Sequence, residues 1–240
     1  MSRDERPAPE PPPFDILLVP GLDGTGRLFA PFLAALPRTI APSVIPYPPA
    51  AVTLEAIEEH VASRLPAGRP FAIVGESFGG LVTIRVAARR PPGLQAVALV
   101  ASFLRRPGPR VPPFVLRAFL RPPLLRCASR PSLLRPAMFA GAAGGMVRQA
   151  SEVLRSLDPR VLADRARIAL GADVREAFRS LDCRLLHLRG SRDRLIAARC
   201  AAEMKALRPD LQEAVLDAPH LVLQARPAEA AGILADFLRV

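Results

Sequence analysis

The segment FAIVGESFGG, residues 71 to 80, sets Ser77 between an apolar run and the start of a helical pattern, with Gly75 and Gly79 two positions away on either side. Small residues at those positions suit a turn tight enough to lift a hydroxyl above the edge of a sheet. The same turn puts Ser77 at a helix N-terminus, where free backbone amides and the helix dipole favour negative charge on a substrate oxygen. These residue types point to nucleophilic attack on a carbonyl. The alternative is a glycine-rich turn with an incidental serine. A serine hydroxyl is a weak nucleophile near neutral pH and needs a base, for which imidazole is the natural choice.

The chain has three histidines. His60, in EAIEEHVASRL beside Glu58 and Glu59, reads as part of a solvated helix face. His187, central in RLLHLRG, reads as a hydrogen-bonded core residue. His220, in DAPHLVLQ, follows the last apolar run and precedes the final helical segment, at the carboxyl edge where open α/β sheets place their sites. An imidazole base needs a carboxylate to fix its tautomer and stabilise the imidazolium, and Asp193 in LLHLRGSRDRL lies on that same edge. The competing role for Asp193 is an ion pair with Arg192 or Arg194. Asp182 precedes its strand and so belongs to the opposite edge, and Asp217 reads as a turn cap. The chain order is Ser77, Asp193, His220.

Six short apolar runs must carry these residues: Phe14–Val19, Thr39–Ile45, Phe71–Val74, Leu94–Ala101, Arg184–Leu188 and Leu211–Leu216. Nearly continuous apolar character fits parallel strands covered on both faces. Helical patterns alternate with them at Leu28–Leu36, Leu54–Leu65, Phe78–Arg90, Ala197–Leu207 and Pro227–Leu238. In the last of these Ala230, Ile233, Leu234 and Phe237 form an amphipathic stripe. The fold class expected is α/β, a doubly wound, mostly parallel sheet of about six strands. Residues 102–183 break the alternation. That stretch has no convincing strand, it carries helical patterns at Met146–Leu157 and Val161–Leu170, and it is expected to form a small helical cap inserted into a core of residues 14–101 and 184–240. Residues 1–13 are proline-rich and read as an N-terminal tail.

With these motifs in place, the sequence resembles the α/β-hydrolase-fold serine hydrolases over about residues 14 to 101 and 184 to 238. The loop LVPGLDGTGRLF, residues 18 to 29, resembles that family's HGxxG oxyanion loop, with Pro20 where the family has histidine. The resemblance implies a Ser77, His220 and Asp193 triad and an oxyanion hole made by the backbone amides of Leu22 and Phe78. It implies no metal and no organic cofactor. The alternative for Gly21, Gly24 and Gly26 is a plain flexible turn, with Asp23 as a helix-capping residue. Only residues 1–13 precede the first run, so the expected sheet lacks the family's leading strand hairpin. The implied reaction is cleavage of a carboxylic ester or thioester through an acyl-enzyme. The pairing of PGLDGTG with GESFGG also resembles acyltransferase members such as phytyl ester synthases, in which an alcohol replaces water. A non-catalytic binding protein on the same fold is the remaining alternative.

Composition narrows the partners. The chain has 240 residues, half of them hydrophobic, which supplies a sizeable core and excludes global disorder. No apolar run reaches the roughly 18 residues of a spanning helix and no signal-peptide core precedes Phe14, so a cytoplasmic location is expected. The three cysteines, Cys127, Cys183 and Cys200, lack CxxC spacing and support neither a disulfide framework nor a zinc site. The net charge of +11 is concentrated in residues 77–151, which hold twelve arginines and no acid. Arginine interleaved with Phe103, Leu104, Phe114, Val115, Leu116, Phe119, Leu120, Leu124, Leu125, Leu133, Leu134, Met138 and Phe139 suggests an acidic acyl carrier or an anionic membrane surface. The alternatives are solvated arginines and apolar residues that merely pack the cap. Nucleic acid is disfavoured: there is no tryptophan, one tyrosine, Tyr47, and no binding motif.

Overall fold

A computed structural model of the protein describes residues 15–37, 40, 42–107, 122–132 and 144–238. The tail expected at residues 1–13 lies outside these, as do Phe14, Thr39 and, of the apolar cap set, Phe114, Val115, Leu116, Phe119, Leu120, Leu133, Leu134, Met138 and Phe139. Six strands form one sheet: β1 (Asp15–Val19), β2 (Ser43–Val44), β3 (Phe71–Glu76), β4 (Leu94–Val100), β5 (Arg184–Gly190) and β6 (Gln212–Leu216). Their order is β2-β1-β3-β4-β5-β6, and every neighbouring pair is parallel. The helices among the described residues are α1 (Ala30–Ala35), α2 (Leu54–Ala62), α3 (Phe78–Ala88), α4 (Pro122–Ala128), α5 (Gly144–Arg155), α6 (Pro159–Gly171), α7 (Arg175–Arg179), α8 (Ala198–Leu207), α9 (Val222–Ala225) and α10 (Pro227–Leu238). None is long and apolar enough to cross a membrane.

Strand residues alternate between two apolar cores because successive side chains leave a strand on opposite faces. Leu17, Val19, Ile73, Val97 and Leu99 join Ile57, Leu81 and Met204 beneath α2, α3 and α8. Ile16, Leu18, Val74, Ala98 and Leu188 join Phe32, Leu234 and Phe237 beneath α1 and α10. All six residues of β3 are buried, as a central strand covered on both faces requires.

The run at Thr39–Ile45 contributes only Ser43–Val44, paired with Leu17–Leu18 at the sheet edge. Pro42 and Pro46 bracket it, and proline has no N–H for a ladder. At the opposite edge β6 is half exposed, since one side of an edge strand meets solvent. The short helices α4, α7 and α9 lack a readable period because one or two turns show too few repeats of 3.6 residues.

Between β4 and β5 the described residues carry α4 to α7 and no strand beyond an isolated antiparallel bridge, Arg105 to Asp173. Helix α6 starts at Pro159 behind Asp158, whose carboxylate accepts the Arg160 N–H at 2.8 Å. Phe103 and Leu104 belong to the main core, while Leu124 is exposed. The stretch without acids in sequence is not without them in space: Arg85 and Arg89 pair with Glu58, and Arg105 pairs with Glu203.

Candidate active site

Ser77 lies between the end of β3 and the first residue of α3, with φ 53° and ψ −115°. Positive φ is costly for a residue with a Cβ, so the surroundings must hold the turn in place. They do so from the ends of both strands that flank β3. The Ser77 N–H donates to Val100 O at 2.7 Å, and the Ser102 hydroxyl donates to Ser77 O at 2.9 Å. Gly79 lets the N-terminus of α3 press against the end of β1: a Cβ there would collide with the carbonyls of Val19 and Pro20.

His220 and Asp193 arrive on the loops after β6 and β5, which are neighbours in the sheet. Gly190 plays the part there that Gly79 plays on the other side, because a Cβ would strike the carbonyl oxygens of Ala218 and Pro219. The loops therefore pack backbone to backbone and their side chains meet. His220 Nδ1 is 2.8 Å from Asp193 Oδ2, and His220 Nε2 is 3.0 Å from Ser77 Oγ. The other oxygen of Asp193 accepts the N–H groups of Leu195 at 2.8 Å and Ile196 at 2.9 Å. Burial pushes the Asp193 carboxyl up, but the His220 hydrogen bond and charge and those two amides outweigh it, leaving the carboxyl below its usual range. With the Nδ1 proton donated to Asp193, Nε2 is left as an acceptor for the Ser77 proton.

The loop after β1 completes the edge. Gly21 stacks against Ser77: a Cβ at Gly21 would lie 3.8 Å from Ser77 Cβ. Among the described residues, the N–H groups of Leu22 and Phe78 make no backbone hydrogen bond. Asp23 does not cap a helix. Its carboxylate closes a turn on Thr25, accepting the backbone N–H at 2.9 Å and the hydroxyl at 2.5 Å, because its position four residues before the start of the 3-10 turn at Arg27–Phe29 leaves Gly26 as the N-cap. Over this edge α5 sets Val147, Ala150 and Val153 against Leu28 from the β1 side and Leu221 from the His220 side.

The other candidates fall elsewhere. His60 is on α2, its Nε2 3.0 Å from Pro46 O. His187 is buried within β5 as a core residue, but the hydrogen bonds expected of it are absent: neither ring nitrogen has a partner among the described residues. It lines a cavity of about 30 Å³ shared with Asp193, and burial pushes its pKa down to about 4. No ion pair from Arg192 or Arg194 reaches Asp193; Arg192 pairs with Asp217, which also binds Arg226.

Sequence reading missed Glu76, Gln224, Tyr47 and Arg165. Glu76 is buried next to Ser77, and burial pushes its pKa up to about 7 against the opposing pull of the His220 charge and the Gln224 hydrogen bond. Gln224 Nε2 donates to Glu76 Oε2 at 3.2 Å, and Glu76 Oε1 has no partner among the described residues. A charged residue in an otherwise apolar strand run was the available signal for Glu76. Nothing in the local pattern marks Arg165, one of 32 arginines.

The sequence matches a model of the alpha/beta hydrolase family over residues 16–233, so the chain belongs to that family. Similar solved structures include a lipase-esterase related protein from Clostridium acetobutylicum ATCC 824, at 14% identity and TM-score 0.80, covering 94% of this chain and 95% of that one. The enol-lactonase from Burkholderia xenovorans LB400 matches at 22% identity and TM-score 0.75, covering 98% and 93%. An esterase from Rhodococcus sp. ECU1013 matches at 16% identity and TM-score 0.75, covering 94% and 90%. At these identities the likeness establishes the shared fold. No curated protein matches the sequence.

Proposed function

We propose that the protein is a serine hydrolase that cleaves a carboxylic ester or thioester of an apolar acyl group through an acyl-enzyme. The observation that carries this reading is the unbroken hydrogen-bonded line from Ser77 Oγ through the His220 ring to Asp193, at 3.0 and 2.8 Å. In this reaction Ser77 Oγ bonds to the carbonyl carbon while its proton passes to His220 Nε2. The carbonyl electron pair moves onto oxygen, where the Leu22 and Phe78 amides receive it. Asp193, ionised and buried, stabilises the imidazolium. Collapse breaks the bond to the leaving alkoxide or thiolate, which takes the proton from Nε2. Water then attacks the acyl-enzyme, gives a proton to His220, and the second collapse restores Ser77 and releases the acid. The apolar roof of Val147, Ala150 and Val153 supports an apolar acyl group.

A fluorophosphonate probe and a series of p-nitrophenyl esters and acyl thioesters of increasing length test the proposal. The expected result is labelling that disappears in Ser77→Ala, with turnover reduced by about 10⁴-fold or more. Undiminished turnover in Ser77→Ala would overturn it. New ester products on addition of an alcohol would replace hydrolysis with acyl transfer at the same serine.

A further inference from the structure

We propose that Arg165, carried by α6 in the segment inserted between β4 and β5, is the positioning residue that holds the oxyanion loop in its active shape; this rests on the acyl-transfer reading of the same site. The ground is a complete account of that loop's carbonyls. Pro20 O accepts the Tyr47 hydroxyl at 2.6 Å, and Gly21 O accepts the Gly24 N–H at 3.0 Å. Arg165 Nη1 donates to Asp23 O at 2.7 Å and, more weakly, to Leu22 O at 3.4 Å. Gly24 O accepts the Tyr47 N–H at 2.7 Å. Five consecutive carbonyls are thus occupied, by one local amide and by two residues distant in sequence. The Leu22 N–H, left without a backbone partner, sits in the middle of this stretch. Its peptide plane cannot rotate without breaking bonds on both sides.

The guanidinium is built into its place rather than resting on a surface. Arg165 is 2% exposed, its Cζ lies 5.3 Å from the centre of the Tyr47 ring, and Nη2 reaches towards Pro48 O at 3.5 Å. Gly24, at φ 67°, forms the slot: a Cβ there would collide with the guanidinium and lie 2.6 Å from Tyr47 Cδ2. A buried cation with no direct carboxylate partner among the described residues is expensive, and burial pulls its pKa down. Leucine or methionine would fill the same volume without that cost. What the guanidinium adds is a rigid plane that binds Asp23 O and Leu22 O through Nη1 while Nη2 points towards Pro48 O, an arrangement that lysine, a point charge on a flexible stem, does not hold. The insertion thereby reaches the donor side of the site through one side chain.

The test compares Arg165→Met and Arg165→Lys with Arg167→Met, an exposed position on the same helix that pairs with Asp164. Turnover is expressed per active site titrated with fluorophosphonate, so loss of folded protein does not count. Arg165→Met is expected to lower kcat by about 10- to 100-fold with KM nearly unchanged, since a misplaced donor acts on the transition state. It should weaken a boronic acid, whose tetrahedral adduct puts an oxygen in the same hole, by a similar factor. Amide hydrogen exchange across residues 20–26 should rise. Arg165→Lys should recover part of each effect and Arg167→Met should show none. Wild-type kcat, boronate affinity or loop exchange in Arg165→Met would overturn the assignment. Should Arg165→Met not fold, Arg165→Lys and Tyr47→Phe give the same readings at smaller size. Failure of the acyl-transfer reading shows separately, as turnover that survives Ser77→Ala, and loop exchange then still decides whether Arg165 holds the loop.

Discussion

The two flanks of Ser77 are built on opposite plans. On the His220 flank the groups proposed to act are side chains, and they hold one another: Asp193 binds the imidazole directly and is itself fixed by two amides from its own loop. On the Leu22 flank the groups proposed to act are backbone amides, and what holds their loop is remote, a phenol from the loop after β2 and a guanidinium from α6. Both flanks share one packing device, a glycine at which the backbone of the neighbouring loop comes too close for a Cβ, Gly190 on one side and Gly79 on the other. The contrast predicts that the side-chain flank fails when its own residues are changed, whereas the backbone flank, its glycines aside, fails when its distant supports are removed.

Asp193→Asn is the severest change on the His220 flank. An amide can leave the His220 ring in the wrong tautomer with little change of shape, and kcat is expected to fall by about 10³- to 10⁴-fold. A loss below about tenfold, measured with any ester the enzyme turns over, would mean that the Asp193 flank does not work through its charge.

The next effect probes Glu76, which feels the charges of both His220 and Asp23. Burial raises its folded pKa from 4.5 to about 7, so between those values the folded protein holds a proton that the unfolded chain has released. Stability conferred by the neutral carboxyl is complete below about pH 4.5 and is lost as pH rises through about 7, by about 3 kcal/mol at most. Glu76→Gln, which does not titrate, should therefore gain on the wild type across that window in urea unfolding and match its slope outside it. A parallel pH dependence for the two proteins would show that Glu76 does not titrate there.

The smallest effects sharpen the symmetry between the glycines. Gly79→Ala and Gly190→Ala should each cost about 1–3 kcal/mol of stability, because backbone rather than a flexible side chain must give way. Their activities should separate. Gly190→Ala pushes the Asp193 and His220 loops apart and is expected to shift the pH profile of kcat/KM. Gly79→Ala displaces Ser77 from the oxyanion loop and is expected to lower kcat with the profile unchanged. Identical profiles would mean the flanks do not act independently.

Legibility in the sequence followed the same division. β3, α3 and α10 stand out because six buried residues in a row, a glycine-flanked serine and a 3.6-residue apolar stripe are local patterns. β2 was expected over the longer run Thr39–Ile45, since two paired residues at an edge leave almost no period to set its bounds, and α7 and α9 are too short to show one. Ser77, His220 and Asp193 could be singled out by residue type and by their place after strands, although nothing local says that they meet. Glu76 was overlooked as the variable residue of a motif, and Arg165 was invisible among its many equivalents.

By itself the sequence determined the α/β class, a mostly parallel sheet of short buried strands and the residues able to do chemistry, because hydropathy period and turn composition act over a few residues at a time. Only the tertiary structure decided what supports those residues: a buried arginine of α6 against a tyrosine before α2, clasping carbonyls after β1. Carbonyls are the same at every residue, so a network that binds them leaves no mark in the chain until folding brings its distant donors to them.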